Sequence, residues 1–252
     1  MLLHGFTDTW RTWELVLPAL ERRHDVLAPT LAGHAGGPPL GEGPPGEAVA
    51  DAVEQAMDAA GFESAHLAGN SLGGYLALRL AARGRARSVV ALAPAGGWAE
   101  GDDSYLGTLA HFESMHDLLV QVAPRAEAIV ATQDGRRRAA ELMAEHWEHI
   151  PADLLAHQMR GVAACSVVRR LNESARSGGW PLDPERVTCP VRIVWGTADR
   201  ILRWPRAAER YHAMFPHADW VELDGVGHGA QLDVPLLASE LILGFTAPSR
   251  RP

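Results

Sequence analysis

Gly69-Asn70-Ser71-Leu72-Gly73 sets a serine between two glycines, with one residue intervening on either side. The apolar run 65–68 precedes it and a helical pattern over 72–83 follows, the setting of a strand-to-helix turn that lifts a serine hydroxyl above a sheet. Such a turn strains the serine backbone, and the glycines remove Cβ atoms that would collide where strand and helix close up. The new helix also directs its N-terminal N–H groups and the positive end of its dipole at the hydroxyl. A hydroxyl is a poor nucleophile at neutral pH and needs a base. Of the twelve histidines, His228 stands just past the last strand-like run with Gly227 and Gly229 on either side. That position puts it on the same edge as Ser71. Asp199 follows the run 191–195 and a short turn. Alone it reads as a turn cap. In the order serine, acid, histidine it reads as the group that fixes the imidazole tautomer and stabilises imidazolium. These residues predict acyl transfer through a covalent intermediate on Ser71.

Such chemistry requires elements that bring three distant segments together. Short apolar runs at 2–3, 25–28, 65–68, 88–93, 191–195 and 220–223 alternate with helical patterns at 12–23, 46–60, 72–83, 206–214 and 234–245. Continuous apolar strands alternating with amphipathic helices predict an α/β fold, a mostly parallel doubly wound sheet covered on both faces. Right-handed crossovers then put the loops after every strand along one edge, where ligands bind in such sheets. Residues 33–46 are rich in Gly and Pro and read as a loop. From 96 to 185 no strand-like run occurs, only helical ones at 116–122, 135–149 and 151–164. The expected organisation is a core of residues 1–95 and 186–252 with a helical cap, 96–185, inserted over the sheet's C-terminal edge.

The chain has 252 residues, 47% of them apolar and 21% charged, enough for one sizeable core. A net charge of −8 argues against a nucleic-acid partner, which would need clustered Lys and Arg. Cys165 and Cys189 lie in no metal-ligand spacing and read as two reduced, packed thiols. No stretch approaches the roughly 20 apolar residues of a membrane span, and the N-terminal residues lack a secretory pattern, so a cytoplasmic location is expected. His146 and His149 sit three apart on a helical pattern; with no third ligand nearby they read as solvated or packing residues. Neither a metal nor a cofactor is expected.

In the glycine-flanked serine, in Trp195-Gly196-Thr197-Ala198-Asp199, in Gly227-His228 and in His4-Gly5-Phe6, the chain resembles the α/β-hydrolase fold superfamily over nearly its whole length. The resemblance implies a serine hydrolase or esterase with a helical lid. It also implies an oxyanion hole made by the backbone N–H groups of Phe6 and Leu72. Under it His4 and His34 are structural residues that anchor neighbouring loops.

Members of that superfamily carry two or more strands before the His-Gly-aromatic segment, which begins here at residue 4. The first strands are therefore expected to be missing, leaving the 25–28 strand as a bare edge through which a homodimer could pair. The apolar lid residues Trp98, Leu106, Leu109, Phe112, Met115, Leu118 and Leu119 predict a small-molecule ester substrate of small to medium size, partly apolar. Carbon–carbon bond hydrolysis of the meta-cleavage-product kind is an alternative, since Gly69-Asn70-Ser71 resembles that group's nucleophile segment. Gly229, however, stands where those enzymes have a tryptophan. A ligand receptor on the same fold is a third reading. Dehalogenases and epoxide hydrolases of this fold use an aspartate nucleophile, against which Ser71 argues.

Overall fold

The computed structural model describes residues 1–246. Five parallel strands run side by side in chain order: β1 (Leu2–Leu3), β2 (Ala65–Asn70), β3 (Ala86–Leu92), β4 (Val191–Gly196) and β5 (Asp219–Leu223). The helices in chain order are α1 (Leu17–Leu20), α2 (Pro45–Ala59), α3 (Leu72–Ala82), α4 (Tyr105–Val122), α5 (Ala126–Val130) and α6 (Gln133–Ala140). They continue with α7 (Ala152–Ala163), α8 (Val168–Gly178), α9 (Glu209–Met214), α10 (Ala230–Asp233) and α11 (Pro235–Thr246). The expected α/β architecture is present, with a helical region, α4 to α8, inserted between β3 and β4.

Side chains alternate across each strand, so consecutive apolar residues feed two different cores. Leu67, Val89, Ala91, Ile193 and Trp195 pack with α2, α3 and α9 on one face. Ala68, Val90, Leu92 and Val194 pack with Trp13, Leu20 and α11 on the other. That double burial explains why the central strands read as unbroken apolar runs. The inserted region has its own core, in which Leu119, Val130, Ile150, Leu154 and Leu155 gather around Leu232 of α10.

Two expected elements differ. The 25–28 segment is not a strand, although Leu2 N–H donates to Leu27 O at 2.8 Å. Because β1 is two residues long and neighbouring N–H groups point to opposite sides, it offers that segment a single donor. The pattern over 12–23 resolves into a 3₁₀ turn, Trp10–Trp13, and the short α1. Pro18 lacks an N–H and its ring would clash with the carbonyl four residues back, so it is accommodated only in the first turn of a new helix.

Candidate active site

The loops after β1, β2, β4 and β5 converge at one edge of the sheet. Ser71, between β2 and α3, has φ 56° and ψ −118°, a sparsely populated conformation that costs on the order of 1–3 kcal/mol. Its neighbours hold it there: Ser71 N–H donates to Leu92 O at 2.9 Å, and Ser71 O accepts from Ala95 N–H at 3.0 Å and Tyr75 N–H at 3.1 Å. The turn closes only without side chains at its flanks. A Cβ on Gly69 would stand 2.2 Å from Gly73 O, and one on Gly73 would stand 2.1 Å from Leu3 O. The second approach brings α3 against the end of β1 and sets Ser71 beside the loop of His4, Gly5 and Phe6.

His228 and Asp199 meet in the interior, 2% and 4% exposed, with Nδ1 of the imidazole 2.7 Å from Asp199 Oδ2. The other carboxylate oxygen accepts the N–H groups of Ile201 and Leu202, each at 2.8 Å. A carboxylate can only accept, so Nδ1 carries the imidazole proton and Nε2 is left as a base. Ser71, 5% exposed, lines with His228 a cavity of about 400 Å³. Its hydroxyl and the imidazole are not hydrogen-bonded to each other, a looseness common before substrate binds. The backbone N–H groups of Phe6 and Leu72 have no protein acceptor among the described residues.

A second cavity of about 220 Å³ also opens on Ser71, lined by Leu72, Tyr75, Leu76, Trp98 and Trp180. Phe6 and Phe112 border both cavities, their rings edge to face with centroids 5.1 Å apart. The inserted region thus contributes Phe112, from α4, to the boundary of both cavities that reach Ser71.

His4 is fully buried; its Nε2 accepts Leu31 N–H at 2.8 Å while Nδ1 donates to Gly5 O at 2.8 Å. Burial, aided by nearby His34, holds its pKa well below the usual value. His34 is likewise driven down to about 4 by burial. His4 ties its loop to Leu31, whereas the His34 ring bonds Ala32 O within its own loop, at 3.2 Å, and packs edge to face against His4 and Phe6. His146 and His149 turn toward α10, meeting Asp233 Oδ1 at 2.9 Å and Leu232 O at 2.8 Å.

Several polar groups at the site were not singled out by sequence reasoning. Asn70 donates from Nδ2 to His228 O at 3.0 Å and to Leu92 O at 3.2 Å, and its Oδ1 accepts Gln231 Nε2 at 3.2 Å. It thereby fastens the serine turn to the histidine loop. Asp233, 2% exposed, accepts four donors: Gly227 N–H (2.6 Å), His146 N–H (2.7 Å), Glu145 N–H (3.1 Å) and His146 Nδ1. Gly229 N–H adds a bond to Met143 O at 2.7 Å. These bonds unwind the expected 135–149 helix after Ala140, since backbone groups of 143–146 are spent on the histidine loop. Asp8 borders the larger cavity with its carboxyl buried. Its contacts come from segments up to 150 residues away, which no local pattern encodes.

Comparison with known proteins gives the family. The chain is 29% identical over 198 residues to epoxide hydrolase EphH of Mycobacterium tuberculosis, covering 78% of the chain and 92% of that protein. It is 34% identical over 128 residues to 2-hydroxymuconate semialdehyde hydrolase of a Pseudomonas species, covering 47% of the chain and 45% of the relative. Among solved structures, carboxylesterase CesB of Bacillus subtilis superposes with a TM-score of 0.69 at 19% identity, over 97% of this chain and 81% of that one. The model of the alpha/beta hydrolase family matches residues 1–239, and with the strand-to-helix serine turn and the five-stranded parallel sheet it establishes that this chain belongs to the α/β-hydrolase family.

Proposed function

We propose that the protein is a serine hydrolase that cleaves carboxylic esters through an acyl-enzyme on Ser71. The buried contact of His228 with Asp199 at 2.7 Å, beside a strained serine in the same cavity, carries this reading. Ser71 Oγ attacks the acyl carbonyl carbon while His228 Nε2 takes its proton, and Asp199 stabilises the imidazolium. The N–H groups of Phe6 and Leu72 hold the oxyanion. The imidazolium then gives its proton to the leaving alcohol as the ester C–O bond breaks. Water, deprotonated by His228, attacks the acyl-enzyme and releases the acid and free Ser71. Each oxyanion donor contributes about 10²–10³ in kcat. Residues 96–185 act as the cap, 1–95 and 186–252 as the core, and the apolar walls select small to medium, partly apolar esters.

The likeness to 2-hydroxymuconate semialdehyde hydrolase favours carbon–carbon bond hydrolysis as a second reading, using the same serine. Steady-state hydrolysis of p-nitrophenyl esters from acetate to decanoate separates the two. Ester turnover abolished by Ser71→Ala is the expected result, with an optimum chain length that sizes the acyl pocket. Folded protein that leaves every ester intact but hydrolyses 2-hydroxymuconate semialdehyde would replace the ester reading with the second one.

A further inference from the structure

The larger cavity is walled mainly by apolar side chains such as Met115, Leu119, Leu142 and Met159. Arg138 and Glu141, which also line it, are engaged at the surface with Asp134 and Arg137. Asp8 differs from them. It follows the oxyanion loop directly, is 8% exposed, and forms no ion pair among the described residues. Its Oδ1 accepts Thr9 N–H at 2.8 Å and its Oδ2 accepts Gln158 Nε2 at 3.3 Å. Gln158, from α7, borders the same cavity. A carboxylate offers about four acceptor positions, so Thr9, the Thr12 hydroxyl and Gln158 leave one unfilled on a side chain that borders the cavity. Burial lifts the Asp8 carboxyl to about 6, the mark of an acid with no compensating cation. Convergent polar groups in an otherwise apolar pocket are what orient a ligand.

Which half of an ester enters this cavity follows from proton transfer. His228 must deliver its proton to the leaving oxygen, so the leaving group lies on the side of Ser71 that His228 occupies. His228 borders the larger cavity and not the smaller one. The acyl chain is then left with the smaller cavity beside Leu72 and Trp98.

We propose that Asp8, oriented by Gln158, is a specificity-determining anchor for the leaving group, selecting esters of alcohols that carry a second hydrogen-bond donor, as in the monoester of a diol. This deepens the serine-esterase reading and rests on it for the assignment of the leaving group. A terminal hydroxyl and a terminal ammonium share the donor chemistry. A pocket built around a buried acceptor disfavours the analogue that leaves it unpaired.

The test compares butanoate monoesters of diols from ethane-1,2-diol to hexane-1,6-diol with alkyl butanoates in which a methyl replaces the free hydroxyl. At the best chain length the hydroxylated ester should be preferred at least about tenfold in kcat/KM, mainly through KM. That ratio should collapse toward one in Asp8→Leu and fall several-fold in Gln158→Leu, which keeps the carboxyl but frees it to turn. Each ratio is internal to one protein, so a partly active variant still reports it. A wild-type ratio within twofold at every length, or a ratio kept by both variants, would overturn the proposal. Calorimetry on Ser71→Ala, with pentane-1,5-diol, 5-aminopentan-1-ol and hexan-1-ol as probes, reads the anchor without turnover. Tighter binding of the diol than of hexan-1-ol, lost on adding Asp8→Leu, supports the anchor even if no ester is hydrolysed, a result that would sink only the esterase reading. The amino alcohol binding far better than the diol assigns the donor as ammonium. Equal binding of all three refutes the anchor.

Discussion

Replacing Asp8 by Asn should stabilise the protein at neutral pH and do nothing at pH 4. The carboxyl titrates near 3.8 when the chain is unfolded and at about 6 in the fold, because burial disfavours its charge. Its pKa is raised on folding, so between those values the folded state holds the extra proton and stability falls as pH rises. Above about pH 6 the whole cost is present. At about 1.36 kcal/mol per pH unit, the interval corresponds to about 3 kcal/mol. Asn carries no charge, keeps an oxygen for Thr9 N–H, and can be met by a rotated Gln158 amide. For a domain of this size each kcal/mol moves Tm by about 2–4 °C. The variant should therefore melt about 6–12 °C above wild type at pH 8, with the difference closing as pH falls through 6 to 4. Thermal melts of both proteins across that range, followed by circular dichroism, supply the measurement. A Tm difference that stays constant from pH 4 to 8 would refute a buried, uncompensated carboxyl.

Asp199→Asn keeps the acceptor for Ile201 and Leu202 but presents an N–H₂ to Nδ1 of His228, forcing the proton onto Nε2. Ester kcat should fall on the order of 10⁴ with Tm little changed, and a loss under tenfold would remove Asp199 from the mechanism. Gly73→Ala drives a Cβ to 2.1 Å from Leu3 O, so backbone must move. A loss of about 3 kcal/mol or insolubility is expected, and a urea midpoint equal to wild type would contradict the close approach. Asp233→Asn removes half of the acceptor capacity at Glu145, His146 and Gly227. Amide hydrogen exchange at these residues should accelerate together and kcat/KM should drop about tenfold, whereas unchanged protection would show that the contacts carry no tension.

Much of the frame was legible because it depends on local pattern. Apolar runs mark β2, β3 and β4, which are buried on both faces, and the glycines at 69 and 73 mark a turn whose geometry admits nothing larger. Ser71, Asp199 and His228 stand out because each follows a strand end. The segment 25–28 looked like a strand, yet pairing depends on a neighbour two residues long. Helix α8 escaped notice because it buries only Val168, Asn172 and Ala175 along an otherwise polar face. Asp8, Asn70 and Asp233 were illegible for another reason. Their meaning lies in partners 87 to 161 residues away, and a single polar residue in a loop carries no periodic signature of such contacts.

Asp233 has a consequence for recombination. Three of its hydrogen bonds, from Glu145 and His146, with the bond from Gly229 to Met143, stitch residues 143–146 to the loop bearing His228, and a fourth holds Gly227 within that loop. A graft that imports the whole inserted region from another member of the fold would cut these threads even if both pieces folded. Crossovers in a chimaera should therefore leave 143–149 with the recipient, together with 227–233. The helices α4 and α8 can be exchanged around that fixed patch, so this is where new pockets can be installed without loosening the histidine.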